Sequence, residues 1–173
     1  MTPGWRKLAL VAHVASSVGW LGAVAAFLAL AVLGLTSQDA PTVRGVYLAM
    51  APAAWLVLVP LGLASLATGL VQALSTKWGL FRHYWVLAKL SINLFAFVVL
   101  LLYTQTLDSL ARTAEATASS SDPDALRSVS PVLHAAAALL LLLTATGLSI
   151  YKPRGTTPYG RRARRGQQPR SRT

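Results

Sequence analysis

Four apolar runs dominate this chain and leave it few folds. Leu8–Leu33, Pro52–Leu74, Tyr84–Tyr103 and Leu133–Tyr151 each hold about 18 or more mostly apolar residues, the length needed to cross the ~30 Å hydrocarbon layer of a bilayer as a helix. A chain of 173 residues that is 54% hydrophobic and only 12% charged is too apolar, and too unevenly charged, for one soluble core. The expected fold is therefore all-α: an integral membrane four-helix bundle, up-down-up-down, formed by residues 1–151. Residues 152–173 make a basic cytoplasmic tail. The chain has no cysteine, which excludes disulfides, thiolate metal sites and iron–sulfur ligation, so metal or haem chemistry would need His, Met or oxygen ligands.

Charge placement sets the orientation. All five acidic residues, Asp39, Asp108, Glu115, Asp122 and Asp124, follow the first and third spans, where Arg44, Arg112 and Arg127 are the only basic residues. The other thirteen Lys and Arg lie on the opposite side, eight of them after Tyr151. The positive-inside rule then places both termini in the cytoplasm, in the inner membrane of a bacterium whose Arg-rich and Ala-rich composition is that of a GC-rich genome. Ala23-Val24-Ala25 has the small residues of a signal-peptide cleavage site, but the apolar region around it is too long for one.

Turn chemistry divides the rest. Gly34–Gly45 reads as a short loop, making the first two helices antiparallel neighbours. Pro52 falls near the start of the second helix, where proline is harmless, and Pro60 near its middle, where a missing donor predicts a kink. Gln105–Ala118 extends the third helix until Ser119-Ser120-Ser121 breaks it, and Asp122-Pro123 reads as the N-cap and first residue of a short helix leading into the fourth span. Beyond Lys152 the chain is too polar and too rich in Pro and Gly to fold alone. Its arginines would attract anionic lipid at about 1 kcal/mol each near the surface. No aromatic interleaving or folded module in the tail favours nucleic acid. The partners implied are the bilayer and anionic lipid, with a second copy of the chain left open.

Polar residues inside the spans are the functional candidates. His13, Ser16, Ser17 and Trp20 follow i, i+3, i+4, i+7 spacing and share one face of the first helix. His13 is six residues beyond Lys7, about 9 Å into the bilayer. The third helix has its own stripe, Arg82, Trp85, Lys89 and Asn93, with Lys89 at nearly the depth of His13. Counted the same way, the second helix offers Thr68 and Gln72 to that layer, and the fourth Thr144 and Thr146. A lysine at a helix centre costs about 2.5–3.5 kcal/mol to insert, so intramembrane ionisable groups mark sites facing the bundle interior by default. Lys89 also has the reach to snorkel to headgroups, and serines and threonines can merely bond back to their own helix. His83 reads as an interfacial histidine. His134 is offset from His13 by roughly 17 Å. Two axial nitrogens on one iron are only about 4 Å apart, so these two histidines cannot share a haem.

His13 followed seven residues later by Trp20 and then Gly22 resembles the opening span of the membrane superfamily that includes CopD and the HemJ-type protoporphyrinogen oxidase. Tyr84-Trp85-Val86-Leu87-Ala88-Lys89-Leu90 is similar to the later span of those proteins with an intramembrane Lys-Leu pair, and Tyr151-Lys152-Pro153 to the Lys-Pro ending of the HemJ type. Across its four spans the chain most resembles a small bacterial membrane family catalogued as a domain of unknown function, with GWLGAV, ASLATGLVQ and WGLFRHYWVL as the characteristic stretches. The resemblance implies that His13 is a haem ligand and that Lys89 is the counterpart of the intramembrane lysine. A cofactor site of His13, Trp20, Gln72, Arg82, Lys89 and Asn93 follows, with His13 as the metal ligand of a haem or other tetrapyrrole. The chain departs from that pattern in having only Met1 and Met50 for copper and no second histidine at the depth of His13. Lys89 could instead pair with a porphyrin propionate. Two other readings stand beside this one: a small transporter lined by the same layer, and a non-catalytic membrane scaffold. No nucleophile triad, phosphate-binding glycine loop or intramembrane carboxylate pair points to hydrolysis or phosphoryl transfer.

Overall fold

The computed structural model of the chain describes residues 2–75, 83–117 and 126–151, together with 155, 157 and 158. It is all-α among these residues. Helix α1 spans Pro3–Thr36, α2 Ala40–Ala53, α3 Val59–Ser75, α4 Tyr84–Ala116 and α5 Ser130–Tyr151, and a π-helical turn at Ala54–Leu58 joins α2 to α3 into one rod. Four helices are thus long and apolar enough to cross a membrane, as a multi-pass membrane protein requires.

The helices overrun the apolar runs that predicted them. At 34 residues, α1 is about 51 Å long, well beyond the hydrocarbon layer. The loop expected over Gly34–Gly45 shrinks to the residues between Thr36 and Ala40, because its polar residues are helix-start signals rather than a turn. Asp39 caps α2, its carboxylate accepting from the Thr42 amide at 3.0 Å and the Thr42 hydroxyl at 2.6 Å, and Pro41 sits in the first turn, where its missing N–H costs nothing. This early start moves Pro52 from the helix entry to its interior, a correction to the expectation that it is harmless. With Pro60 it removes two donors from one rod. The distortion takes the form of a π turn ending just before Pro60, in which the Val59 N–H reaches back five residues to the Ala54 carbonyl. The extension of the third span is observed, α4 running to Ala116. The serine break, the short helix at Asp122-Pro123 and nearly all of the basic tail lie outside the described residues.

The bundle order follows from which helices touch. The α2–α3 rod and α5 each pack against both α1 and α4, so α1 and α4 stand at opposite corners. Both corner helices carry a seam of inward positions spaced by three or four residues, the spacing that keeps one face of a helix toward the bundle. On α1 it is His13, Ser16, Trp20, Val24, Phe27 and Ala31, all buried; on α4 it is Lys89, Asn93, Ala96, Leu100, Tyr103 and Leu107. The outer surface is apolar, with Leu56 at 76% and Leu140 at 67% exposure, as lipid contact demands.

Two arginines on the acidic side close helix ends. Arg44 Nη2 donates to the Thr117 carbonyl at 2.7 Å, at the C-terminus of α4, and Arg127 Nη2 donates to the Ser37 carbonyl at 2.6 Å, at the end of α1. Each places a cation on carbonyls that a helix leaves unpaired, where the macrodipole favours positive charge.

Candidate functional site

His13 enters the bundle from the first seam of α1 and is only 8% exposed. Small residues make the room. A methyl group on Gly69 of α3 would sit 3.1 Å from His13 Cε1, so the ring lies almost on the α3 backbone. From there Nδ1 faces Thr68 Oγ1 at 3.1 Å and Nε2 faces Lys89 Nζ at 3.3 Å. Lys89, half-buried on the diagonal helix α4, thus meets His13 inside the bundle.

The hydrogen bonds orient this pair. With Lys89 as the ammonium, its nitrogen can only donate, so Nε2 accepts and Nδ1 carries the ring hydrogen. Nδ1–H then donates to Thr68, whose own hydroxyl donates to the Ala64 carbonyl at 2.6 Å. The result is a directed chain, Lys89 to His13 to Thr68 to the backbone of α3. Ser16 Oγ donates to the His13 carbonyl at 3.1 Å and lies 3.5 Å from Thr68 Oγ1. One turn further, Ser17 Oγ meets Ser65 Oγ at 2.8 Å, and on the other side Gln72 Nε2 donates to the Ala9 carbonyl at 3.0 Å. Position rises along α1 as it falls along α3, so these two helices run in opposite directions.

The predicted site residues divide accordingly. His13, Lys89 and Thr68 come together. Gln72 belongs to the same layer but is engaged by the α1 backbone, and Asn93 is buried one turn from Lys89 on the α4 seam. Trp20 lies two turns from His13 and packs elsewhere, over Gly62 and edge-on to Phe97 with ring centroids 6.5 Å apart. Its buried indole N–H has no hydrogen-bond partner among the described residues. Arg82 lies outside the described residues. Thr144 and Thr146 do not join the layer: both are exposed and their hydroxyls donate to Leu140 and Leu142 on their own helix at 2.8 Å, so among the described residues α1, α3 and α4 build it. His83 lies beside Trp85, with ring centroids 6.5 Å apart. Ser65, 3% exposed, joins the layer too, and its spacing to Thr68 and Gln72 is the sequence signal that places it on the same face of α3.

His134 is remote from this centre. It stacks on Tyr103, which is fourteen residues, about 21 Å, along α4 from Lys89. Among the described residues no group of three or more His, Cys, Asp or Glu side chains could hold a metal ion.

Charge is the most informative property of the site. Asp108 is nineteen residues beyond Lys89 on α4, about 28 Å along the axis, and Asp39 and Glu115 belong to the same far end. Among the described residues Lys89 therefore has no carboxylate near it. No family model, curated protein or solved structure matches this chain.

Proposed function

We propose that this multi-pass membrane protein, with both termini on the cytoplasmic side of a bacterial inner membrane, binds the anionic group of a small ligand at the Lys89–His13 centre. The observation that carries this reading is the 3.3 Å contact between two basic side chains inside an apolar bundle, with no carboxylate near them among the described residues. A cation in lipid is retained at considerable cost, and its ordinary partners are an opposite charge or backbone carbonyls. Lys89 gives one of its three ammonium hydrogens to His13 Nε2, which leaves two for an incoming carboxylate or phosphate, while the hydroxyls of Ser16 and Thr68 are committed to backbone carbonyls.

A tetrapyrrole remains the ligand named by the resemblance, and two of its groups make different demands. A propionate suits Lys89 as placed. Iron ligation by His13 would require Nε2 to give up Lys89, and no second histidine lies at that depth. The fit therefore favours a carboxylate on Lys89 over a metal on His13.

The test is equilibrium binding of protoporphyrin IX and of its dimethyl ester to the purified protein, with an absorption spectrum of the protein as isolated. Preference for the free acid, lost in Lys89→Gln, supports the anion site. Equal binding of acid and ester in the wild type refutes it. A Soret band in the isolated protein that vanishes in His13→Ala but survives Lys89→Gln would replace this reading with haem ligation.

A further inference from the structure

A cavity lies on the far half of the bundle, and its cause is the run His134-Ala135-Ala136-Ala137-Ala138 in the first half of α5. Alanines facing α4 leave space that larger side chains would fill. A cavity of about 230 Å³ results between α4 and α5, backed by α1. Its wall is apolar and aromatic, with Trp20 and Phe27 from α1 and Phe95 and Tyr103 from α4. A dry apolar cavity of about 150 Å³ is enough to hold benzene, so this one has room for a larger ring system.

The polar group at one end is built, not incidental. The exposed His134 ring lines the cavity and stacks on Tyr103, with centroids 4.0 Å apart and planes 17° apart. Its Nδ1 lies 2.9 Å from the Ser130 carbonyl, which can only accept, so Nδ1 carries the hydrogen and Nε2 of the neutral ring is an acceptor. Tyr103 is tied down as well, its hydroxyl 3.0 Å from Ser130 Oγ. A rigid acceptor therefore stands at an apolar, aromatic-walled cavity between two helices whose outer faces are apolar.

We infer that this cavity binds a lipid-soluble phenol-type molecule, an apolar ring that sits among the aromatic side chains and donates its hydroxyl to His134 Nε2. Aromatic walls favour a ring through edge and offset-stacked contacts, and the hydroxyl at the end of the cavity finds its acceptor in His134 Nε2. The site is independent of the Lys89–His13 centre and does not rest on the function proposed for it.

The experiment uses the full-length protein in nanodiscs, with empty nanodiscs correcting for partition into lipid, and equilibrium dialysis of 1-naphthol and naphthalene. The wild type should bind naphthol about tenfold more tightly than naphthalene, the effect of one hydrogen bond made in an apolar site. His134→Phe keeps the stack on Tyr103 and removes the acceptor, so naphthol should fall to the level of naphthalene, which is itself unchanged. Ala138→Trp fills the cavity and should abolish binding of both. If that variant does not fold, Ala138→Val must weaken both. Equal binding of the two probes to the wild type, naphthol binding that survives His134→Phe, or no binding above empty nanodiscs would each overturn the inference.

Discussion

Gly62 of α3 is the position where the packing makes its sharpest quantitative demand. A methyl group there would lie 2.8 Å from Phe97 Cδ2 and 3.1 Å from both Cε2 and Cζ2 of Trp20, closer than unstrained carbon contacts allow. Both rings are rigid and in edge contact with one another, so neither can yield without disturbing the other. Overpacking of this kind costs about 1–3 kcal/mol, and two aromatic neighbours place Gly62→Ala in the upper part of that range. Against it stands the gain of about 0.8–1 kcal/mol from replacing glycine by alanine in a helix. The expected net is a loss of about 1–2 kcal/mol, read as a shift in reversible unfolding in mixed detergent micelles. Gly22 is the control, since a methyl group there meets nothing within 4 Å, and Gly22→Ala should be neutral or stabilising. Phe97→Leu in the Gly62→Ala background should recover part of the loss by removing the nearest atom. A Gly62→Ala protein as stable as Gly22→Ala would refute the reasoning, because it would mean that Trp20 does not press on α3.

Three further outcomes follow from individual contacts. A double-mutant cycle on Ser17→Ala and Ser65→Ala, measured by the same unfolding assay, should give a coupling of about 0.6 kcal/mol, the usual worth of an interhelical hydrogen bond in a membrane protein; zero coupling would mean the two hydroxyls do not meet. Arg127→Leu should lower stability by about 1 kcal/mol through loss of the charged donor on the Ser37 carbonyl, with faster amide exchange at the end of α1 as its local signature. The Asp39 carboxyl is held below the usual carboxylate range, first by the Thr42 hydroxyl and then by its amide, so the charged cap is complete above that range and weakens as pH falls through the lowered value. The protection of the Thr42 amide, its exchange relative to the unstructured rate at the same pH, should therefore fall in acid in the wild type, while Asp39→Asn, which caps without a charge, should show no such step.

The polar centre was partly legible because depth along a helix can be counted. His13 and Lys89 were placed at one level by their distance from flanking basic residues, and the structure brings them together. Direction around the axis was legible only where a stripe was strong, as on α1. Thr144 and Thr146 have suitable depth, yet their hydroxyls are satisfied on α5, because nothing in a single sequence states which face of one helix meets another. Trp20 shares the stripe of His13 but lies two turns further along α1, where it packs on Gly62 and Phe97. The loop after α1 is shorter than Gly34–Gly45 because Asp39 and Pro41, which serve turns and helix starts equally well, here start α2.

Hydrophobic run lengths alone dictated four membrane-length helices and an all-α chain, since lipid offers no other partner for backbone N–H and C=O groups. They left open the order of those helices around the bundle and therefore every contact across it. Tertiary packing decided that α1 and α4 stand on a diagonal, that Gly69 yields the space for an imidazole, and that the alanines of α5 leave a cavity. The reason is physical: burial in a bilayer rewards length and apolarity one helix at a time, whereas a shared site depends on the volumes and hydrogen bonds of several helices at once.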